Sequence, residues 1–371
     1  MTVQLSCIET AVPETCVQSH ESFHIANALC GPYMSDAGWL PAVYENCGVK
    51  QRYQVLGQAI VNDLLHDTRI SQSPFLPGKI GGPTTAERMA IYTKEAGPLA
   101  LQAARKTLQE AKLSGDLVTH LVTVSCTGFQ APGIDVLLMR ELGMSPGAER
   151  THVGFMGCHG ALNGLRVAKA FCEANPEAVV LLVAVELCSL HYYYGAEPSK
   201  VIANALFADG AAAMLVSQKI PGRAVLASGS QLLPNSEREM GWVIGDHGFG
   251  MTMTKQIPRL IEQHLCAWIE TWLRARGMSL GDIARWAVHP GGPKILEAVQ
   301  SSLTLPATAL TDSWQILADY GNMSSPTVFF ILKEQNRKPV PGPTVVLGFG
   351  PGLIVEAALL TDSPVNPIPL R

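Results

Sequence analysis

The segment AVVLLVAVEL, residues 178–187, constrains the fold more than any other stretch of this chain. It is an almost unbroken apolar run, without the alternation of a strand that has one wet face. Successive strand side chains point to opposite faces, so such a run has to be covered on both sides. LVTHLVTVSC (117–126) reads as a second strand of this kind, and AVLASGSQLL (224–233) as a later one. TVVLGFGPGLIVEAALL (344–360) reads as two strands joined by a glycine loop. Helical patterns lie between them. They are IDVLLMREL (134–142), CHGALNGLRVAKAFCEA (158–174) and the amphipathic QIPRLIEQHLCAWIETWLRARG (256–277), which Gly277 closes as a C-cap. SSPTVFFILKEQ (324–335) is a further helix with Pro326 in its first turn. LFADGAAAMLVS (206–217) reads as loop then strand, and RWAVHPGGPKILEAVQSSL (285–303) as strand, tight turn and helix.

The alternation places the chain in the α/β class. It falls into two series that meet near residue 217, with no linker rich in Pro, Gly or Ser between them. Two halves, 1–217 and 218–371, packed into one body are therefore expected. The most irregular stretch, SQSPFLPGKIGGPTT (71–85), reads as a surface loop or a lid on the substrate side. With 371 residues, 47% apolar and 16% charged, the chain can bury a large core and still present apolar surface to a partner subunit. The net charge of −4, without blocks of like charge, excludes a nucleic-acid surface. No apolar run reaches the roughly 18 residues of a membrane helix. The N-terminus lacks the basic-then-apolar pattern of a secretory signal, so a cytoplasmic location is expected. Nine scattered cysteines without a CxxC pair argue against a disulfide framework or a zinc site. His20 and His24 share a helix face with no third ligand in view, so no metal is expected.

Three residues carry chemistry. Cys158 follows an apolar strand end (Val153 to Met156) and Gly157, where a helix begins. Free N–H groups and the macrodipole there favour a thiolate and predict a lowered pKa. His289 ends an apolar strand and is held by Pro-Gly-Gly-Pro, at the sheet edge where α/β sites lie. Asn322, between Gly321 and small hydroxyl residues, can cap a helix or donate to an oxyanion. Cys, His and Asn support a papain-like peptidase or a condensing enzyme. The mid-chain cysteine and the absence of a CGSCW-like signature favour condensation.

GCHGALNGLRVAKAF, LFADGAAA, AVHPGGPKIL, YGNMSSPTV and GFGPG, collinear from about 117 to 360, resemble the motifs of type III polyketide synthases, the group of plant chalcone and stilbene synthases. β-Ketoacyl carrier-protein synthase III is the alternative, but there the histidine is followed by Gln-Ala-Asn rather than PGGP. The resemblance implies a five-layered αβαβα thiolase-like fold and a homodimer. It implies an acyl-CoA starter loaded on Cys158, and malonyl-CoA decarboxylated against His289 and Asn322. Cyclisation to an alkylpyrone, alkylresorcinol or phloroglucinol-type product follows, with no metal or redox cofactor.

The resemblance also makes Phe207 a gate between the coenzyme A tunnel and the cavity, with Met251 where the family has a second gate phenylalanine. Cavity positions fall on Cys126, Thr127, Cys188, His191, Trp242 and Ser324, Trp242 replacing a glycine. Gly348, Phe349, Gly350, Pro351 and Gly352 would shape the cavity wall. Lys50, Arg52 and Lys294 are the candidates for the coenzyme A phosphates, since the segment Tyr44–Arg52 does not clearly match the basic cluster of the plant enzymes. A cis bond is expected at Ala131–Pro132, where Ala131 replaces a methionine that reaches the partner's cavity. Motifs such as ELCSLH lean towards the fatty acyl starters of bacterial members; the bulk of His191 and Trp242 opposes them.

Overall fold

Side-chain alternation along the strands sorts the apolar residues into three separate cores, and the layers follow from those cores. The computed structural model describes residues 2–362; residues 363–371 of the expected second half, and residue 1 of the first, lie outside it. The first half contains strands β1 (Gln4–Ala11), β2 (Thr15–Gln18), β3 (Gln51–Gln54), β4 (His120–Ser125), β5 (Glu149–Gly154), β6 (Val179–Leu187) and β7 (Asp209–Ser217). Its helices are α1 (Ser19–Cys30), α2 (Leu40–Asn46), α3 (Gln58–His66), α4 (Thr85–Ala111), α5 (Ile134–Glu141), α6 (Gly160–Ala174) and α7 (Pro198–Leu206). The second half adds β8 (Arg223–Leu232), β9 (Met240–Gly245), β10 (Gly248–Met253), β11 (Arg285–Val288), β12 (Pro343–Gly350) and β13 (Ile354–Thr361). Helices α8 (Ile257–Arg274), α9 (Pro293–Ser302), α10 (Thr311–Tyr320) and α11 (Thr327–Arg337) complete it.

The strand series β1-β7-β6-β4 and β8-β13-β12-β11 share order and direction, two antiparallel pairs followed by a parallel one. β5 extends the first block beyond β4. A short pairing of Gln4 with Ala224 and Leu5 with Arg223 joins the blocks edge to edge. The first core lies between α4 and one face of the first block, with Leu181, Val183 and Val185 of β6 pointing into it. Val180, Leu182 and Ala184 point the other way, into a central core shared with Val346 of β12 and Leu360 of β13. Helices α6 and α11 fill that central layer, α6 touching β4, β6 and β13, and α11 touching β1, β7 and β12. The third core holds Val345, Leu347 and Phe349 of β12 against α8 and α9. Three cores between helix, sheet, helix, sheet and helix make the five-layered thiolase-like fold.

The boundaries differ from expectation in informative places. Helix α6 starts at Gly160, after one 3-10 turn through Gly157–His159, rather than at Cys158. Pro326 is the N-cap of α11 and not part of its first turn. Arg274 ends α8 three residues before Gly277, whose φ of 71° lets the chain reverse there. The 71–85 stretch is anchored, since Phe75 and Leu76 are buried and the Thr84/Glu87 capping box ties its end to α4. Fully buried Arg88 donates to the carbonyls of Pro83 (2.9 Å) and Tyr192 (3.0 Å) and clamps it further.

Candidate active site

The turn that carries Cys158 is a forced one. Phe155 and Gly157 both have left-handed φ values, 61° and 71°, between the end of β5 and the first turn before α6. A Cβ at Gly157 would stand 2.3 Å from Pro351, so only glycine fits. Cys126 Sγ accepts the Gly157 N–H at 3.0 Å and holds the turn from β4. Cys158 is thereby delivered to the wall of a cavity of about 490 Å³.

Asn322 and Ser324 come to the same thiol from the loop before α11. Asn322 N–H donates to Leu206 O and its carbonyl accepts from Ala208 N–H, both at 2.9 Å, so the asparagine is strapped to either side of Phe207. Its Oδ1 accepts Ser324 N–H at 2.8 Å, which leaves the Nδ2 amide as a donor towards Cys158. Burial pushes the Cys158 thiol up to about 11, although Ser324 and Asn322 both favour the thiolate. This corrects the expectation of a lowered pKa: removal from water outweighs the helix terminus, and the resting group is the thiol.

His289 continues the β11 ladder through its N–H to Leu347 O (2.8 Å) and is fully buried. Val288 faces the third core and Ala287 the central one, so alternation turns His289 towards the central layer, the side of α6 and Cys158. Neither ring nitrogen has a partner among the described residues. Burial, reinforced by the nearby imidazole of His159, pushes its pKa down to about 3, so the ring is neutral.

The cavity wall includes Cys158, Cys126, Thr127, Cys188, His191, Phe207, Trp242, Met251, Ser324 and Pro351. His191 Nε2–H donates to Thr127 O (2.7 Å) and its Nδ1 accepts Phe249 N–H (3.0 Å), so one neutral tautomer is held. Its ring stacks on Phe249 with centroids 4.2 Å apart, and Trp242 meets both edge-on while its Nε1–H donates to Cys126 O (2.8 Å). The expectation that the whole Gly348–Gly352 loop shapes the wall needs correction, because only Pro351 reaches the cavity. Phe349 is spent in the third core, Gly348 and Gly350 back onto His159, and Gly352 (φ 78°) serves the tight β12–β13 connection.

Residues 2–219 match the family described as "Chalcone and stilbene synthases, N-terminal domain", and residues 224–364 match its C-terminal domain. The chain belongs to the type III polyketide synthases. It is accordingly a decarboxylating, condensing acyltransferase, and the peptidase and carrier-protein alternatives fall away. Over 287 residues, 74% of this chain and 73% of the relative, it is 34% identical to "Alpha-pyrone synthesis polyketide synthase-like Pks18" of Mycobacterium tuberculosis. Over 271 residues, 71% of this chain and 72% of the relative, it is 36% identical to the "1,3,6,8-tetrahydroxynaphthalene synthase" of Streptomyces peucetius subsp. caesius. The crystal structure of PKS-I from the brown alga Ectocarpus siliculosus superimposes with a TM-score of 0.85 at 28% identity, covering 97% of this chain and 98% of that one.

In this type III polyketide synthase the basic candidates do not converge on the cavity. Arg52 is fully buried and donates to the carbonyls of Asn204 and Phe207, the latter at 3.0 Å, so it braces the gate segment and cannot meet a solvent-borne phosphate. Lys294 points to water and pairs with Glu297 (2.7 Å); Lys50 is exposed beyond the cavity lining. The cation on the lining is Lys200 of α7, paired with Glu197 at 2.7 Å and lying 5.1 Å from the Tyr193 ring centroid. The Ala131–Pro132 bond is cis, as the resemblance implies.

Sequence reasoning missed Glu186. This fully buried carboxylate accepts from Cys126 N–H (2.8 Å), Thr127 Oγ1–H (2.8 Å) and Ser325 Oγ–H (2.6 Å), tying β4, β6 and the α11 loop together behind Cys158. Burial raises its pKa to about 7. Its one visible signal was a lone acid inside an otherwise apolar strand.

Proposed function

We propose that this enzyme loads an acyl starter from coenzyme A onto Cys158, extends it with malonyl-CoA and releases a small α-pyrone. Because Cys158 rests as a thiol and His289 as a neutral imidazole, His289 takes the Sγ proton as the sulfur attacks the starter thioester. His289 then gives that proton to the departing coenzyme A thiolate as its C–S bond breaks. In the second half-reaction the Asn322 amide and a His289 N–H donate to the malonyl thioester carbonyl. They stabilise the enolate as carbon dioxide leaves; the enolate carbon attacks the Cys158 thioester carbonyl, the C–S bond breaks to free the Cys158 thiolate, and the extended chain stays on coenzyme A until it reloads the cysteine. Phe207, Met251 and Lys200 all line the cavity, which supports the first two as gate residues and Lys200 as the partner of the coenzyme A phosphates. Exposed Phe129 and Val136, flanking the Ala131–Pro132 turn, supply an apolar face for a homodimer.

The size of the cavity carries the product assignment. A cavity of about 490 Å³ lies in the lower part of the range of about 300–1,000 Å³ that takes one drug-sized molecule. A triketide pyrone adds four carbons and two oxygens to its acyl starter, so a short or medium chain suits that space and a long fatty chain does not. The His191–Trp242–Phe249 wedge closes the wall that a longer chain would need. The name of the mycobacterial relative supports a pyrone. Incubation with malonyl-CoA and acetyl-, hexanoyl-, octanoyl- or palmitoyl-CoA, with products identified by mass, tests the proposal. Pyrone masses from the short and medium starters only are expected. A palmitoyl-derived product refutes the size argument, and turnover by Cys158→Ala refutes the role of the cysteine.

A further inference from the structure

Helix α7 ends on carbonyls that no residue of the helix can satisfy, and the segments that satisfy them belong to the site. Asn204 O and Phe207 O both accept from the Arg52 guanidinium, Phe207 O at 3.0 Å. Leu206 O accepts from Asn322 N–H, and Ala208 N–H donates back to Asn322 O, each at 2.9 Å, so Phe207 and Asn322 form a parallel bridge. Arg52 is 1% exposed, and the Tyr192 ring covers it with its centroid 5.4 Å away. Both of its bonds leave one nitrogen, Nη1, whose hydrogens are fixed in the guanidinium plane. The two carbonyls are therefore held at one spacing. The positive charge also sits at the negative end of the helix.

The strand that carries Arg52 is itself fixed. β3 pairs with β2, Lys50 N–H donates to Ala318 O at 2.8 Å, and Tyr53 stacks on Tyr320 with ring centroids 5.8 Å apart. These contacts tie β3 to helix α10, whose end leads through Gly321 into Asn322. Gly321 (φ 72°) leaves no slack there. A Cβ on it would stand 3.1 Å from both Leu206 O and Ala208 Cβ, and 3.4 Å from Arg52 Cβ. The Arg52 strand, the end of α7 and the Asn322 loop are thus one packed unit. The other two chemical groups hang elsewhere. Cys158 is set by the Phe155–Gly157 turn and by Cys126, and His289 by the β11–β12 ladder. Asn322 also faces the Cys158 thiol, but in loading it is His289 that takes the proton.

We propose, on the basis of the malonyl half-reaction described above, that Arg52 is a positioning residue for decarboxylation: by fixing the end of α7 it sets where the Asn322 amide meets the enolate oxygen. A donor serves a developing oxyanion only when held within about 0.5 Å of its place. Removing the guanidinium leaves Asn204 O and Phe207 O without their donor. The end of α7, and Asn322 with it, can then shift against Cys158 and His289, which stay where their own turns hold them. Decarboxylation therefore depends on Arg52 far more than loading does.

The test compares two rates in wild type, Arg52→Met, Arg52→Lys and Asn322→Ala. One is carbon dioxide release from carboxyl-labelled malonyl-CoA without a starter; the other is the burst of free coenzyme A as hexanoyl-CoA loads Cys158. Methionine keeps an apolar stem without donors, and lysine keeps a charge but ends one bond short of Nη1. Carbon dioxide release is expected to fall at least about tenfold in Arg52→Met and at least about threefold in Arg52→Lys, in kcat, with KM within about twofold. Loading should stay within about threefold of wild type in both. Rates equal to wild type, an equal fall in both half-reactions, or a change confined to KM overturns the inference. Near-ultraviolet circular dichroism identifies a misfolded Arg52→Met, and Arg52→Lys is then the deciding protein. Wild-type carbon dioxide release by Asn322→Ala refutes the malonyl half-reaction itself, whereas a loss in Asn322→Ala alone overturns only the role of Arg52.

Discussion

Replacing Glu186 by Gln isolates the energetic consequence of a carboxylate sealed behind the nucleophile. The amide oxygen can keep accepting from Cys126 N–H and Thr127 Oγ1–H, and the amide NH₂ can donate to Ser325 once that hydroxyl rotates. The substitution therefore removes the titration and leaves the packing. Glu186 has a folded pKa of about 7 against an ordinary value of 4.5. Below pH 4.5 both folded and unfolded states are protonated, and the group has no effect on the pH dependence. Between 4.5 and 7 the folded state holds a proton that the unfolded state has released, so wild-type stability falls as pH rises and levels off above 7. At about 1.4 kcal/mol per unit the whole window is worth about 3 kcal/mol, of which about 2.5 kcal/mol lies between pH 5 and pH 8. The stability of Glu186→Gln minus wild type should widen by that amount over this range, or by about 3 °C in the difference of Tm values. Urea unfolding of both proteins in parallel at four pH values measures it. A difference that stays constant from pH 5 to pH 8 would show that Glu186 does not hold its proton in the fold, and the account of its burial would be wrong.

Two further substitutions probe the cavity. Trp242→Ala removes the indole edge packed on His191 and Phe249 and its bond to Cys126 O, which should destabilise by about 3 kcal/mol and admit longer starters, read as palmitoyl-derived pyrone by mass. Lys200→Ala should raise KM for coenzyme A thioesters about fivefold with kcat nearly unchanged, whereas Lys294→Ala should change neither; steady-state kinetics with malonyl-CoA distinguishes them.

Periodicity and local turns were legible in one dimension. Doubly apolar strands such as 178–187 require cover on both faces, and with the helices between them that requirement led to the α/β class, while the five layers came from the family resemblance. The turn into Cys158, the strand end at His289 and the loop at Asn322 were visible because glycine, proline and small residues mark where backbone must bend. Helix α4 escaped notice although it is 27 residues long, because Gly97 and Pro98 interrupt its helical signal while packing on the sheet holds it together. Arg52 read as a candidate for the coenzyme A phosphates and is a buried brace, a distinction its neighbours in sequence do not carry. Cys158 read as an activated thiolate from its local turn, yet desolvation by the folded body reverses the sign.

What the primary structure determined by itself was the class of fold, the order of the main elements from residue 117 onward and the candidate set of three chemical groups. All of these follow from interactions within a few residues or from simple two-sided burial. The tertiary structure alone decided how dry each group is and which distant atom faces it: Asn163 meets Glu356 from 193 positions away, and Glu186 meets Ser325 from 139. Protonation and hydrogen-bond direction depend on that surrounding volume, and a linear pattern does not encode it because each partner is contributed by a different strand or helix of the packed layers.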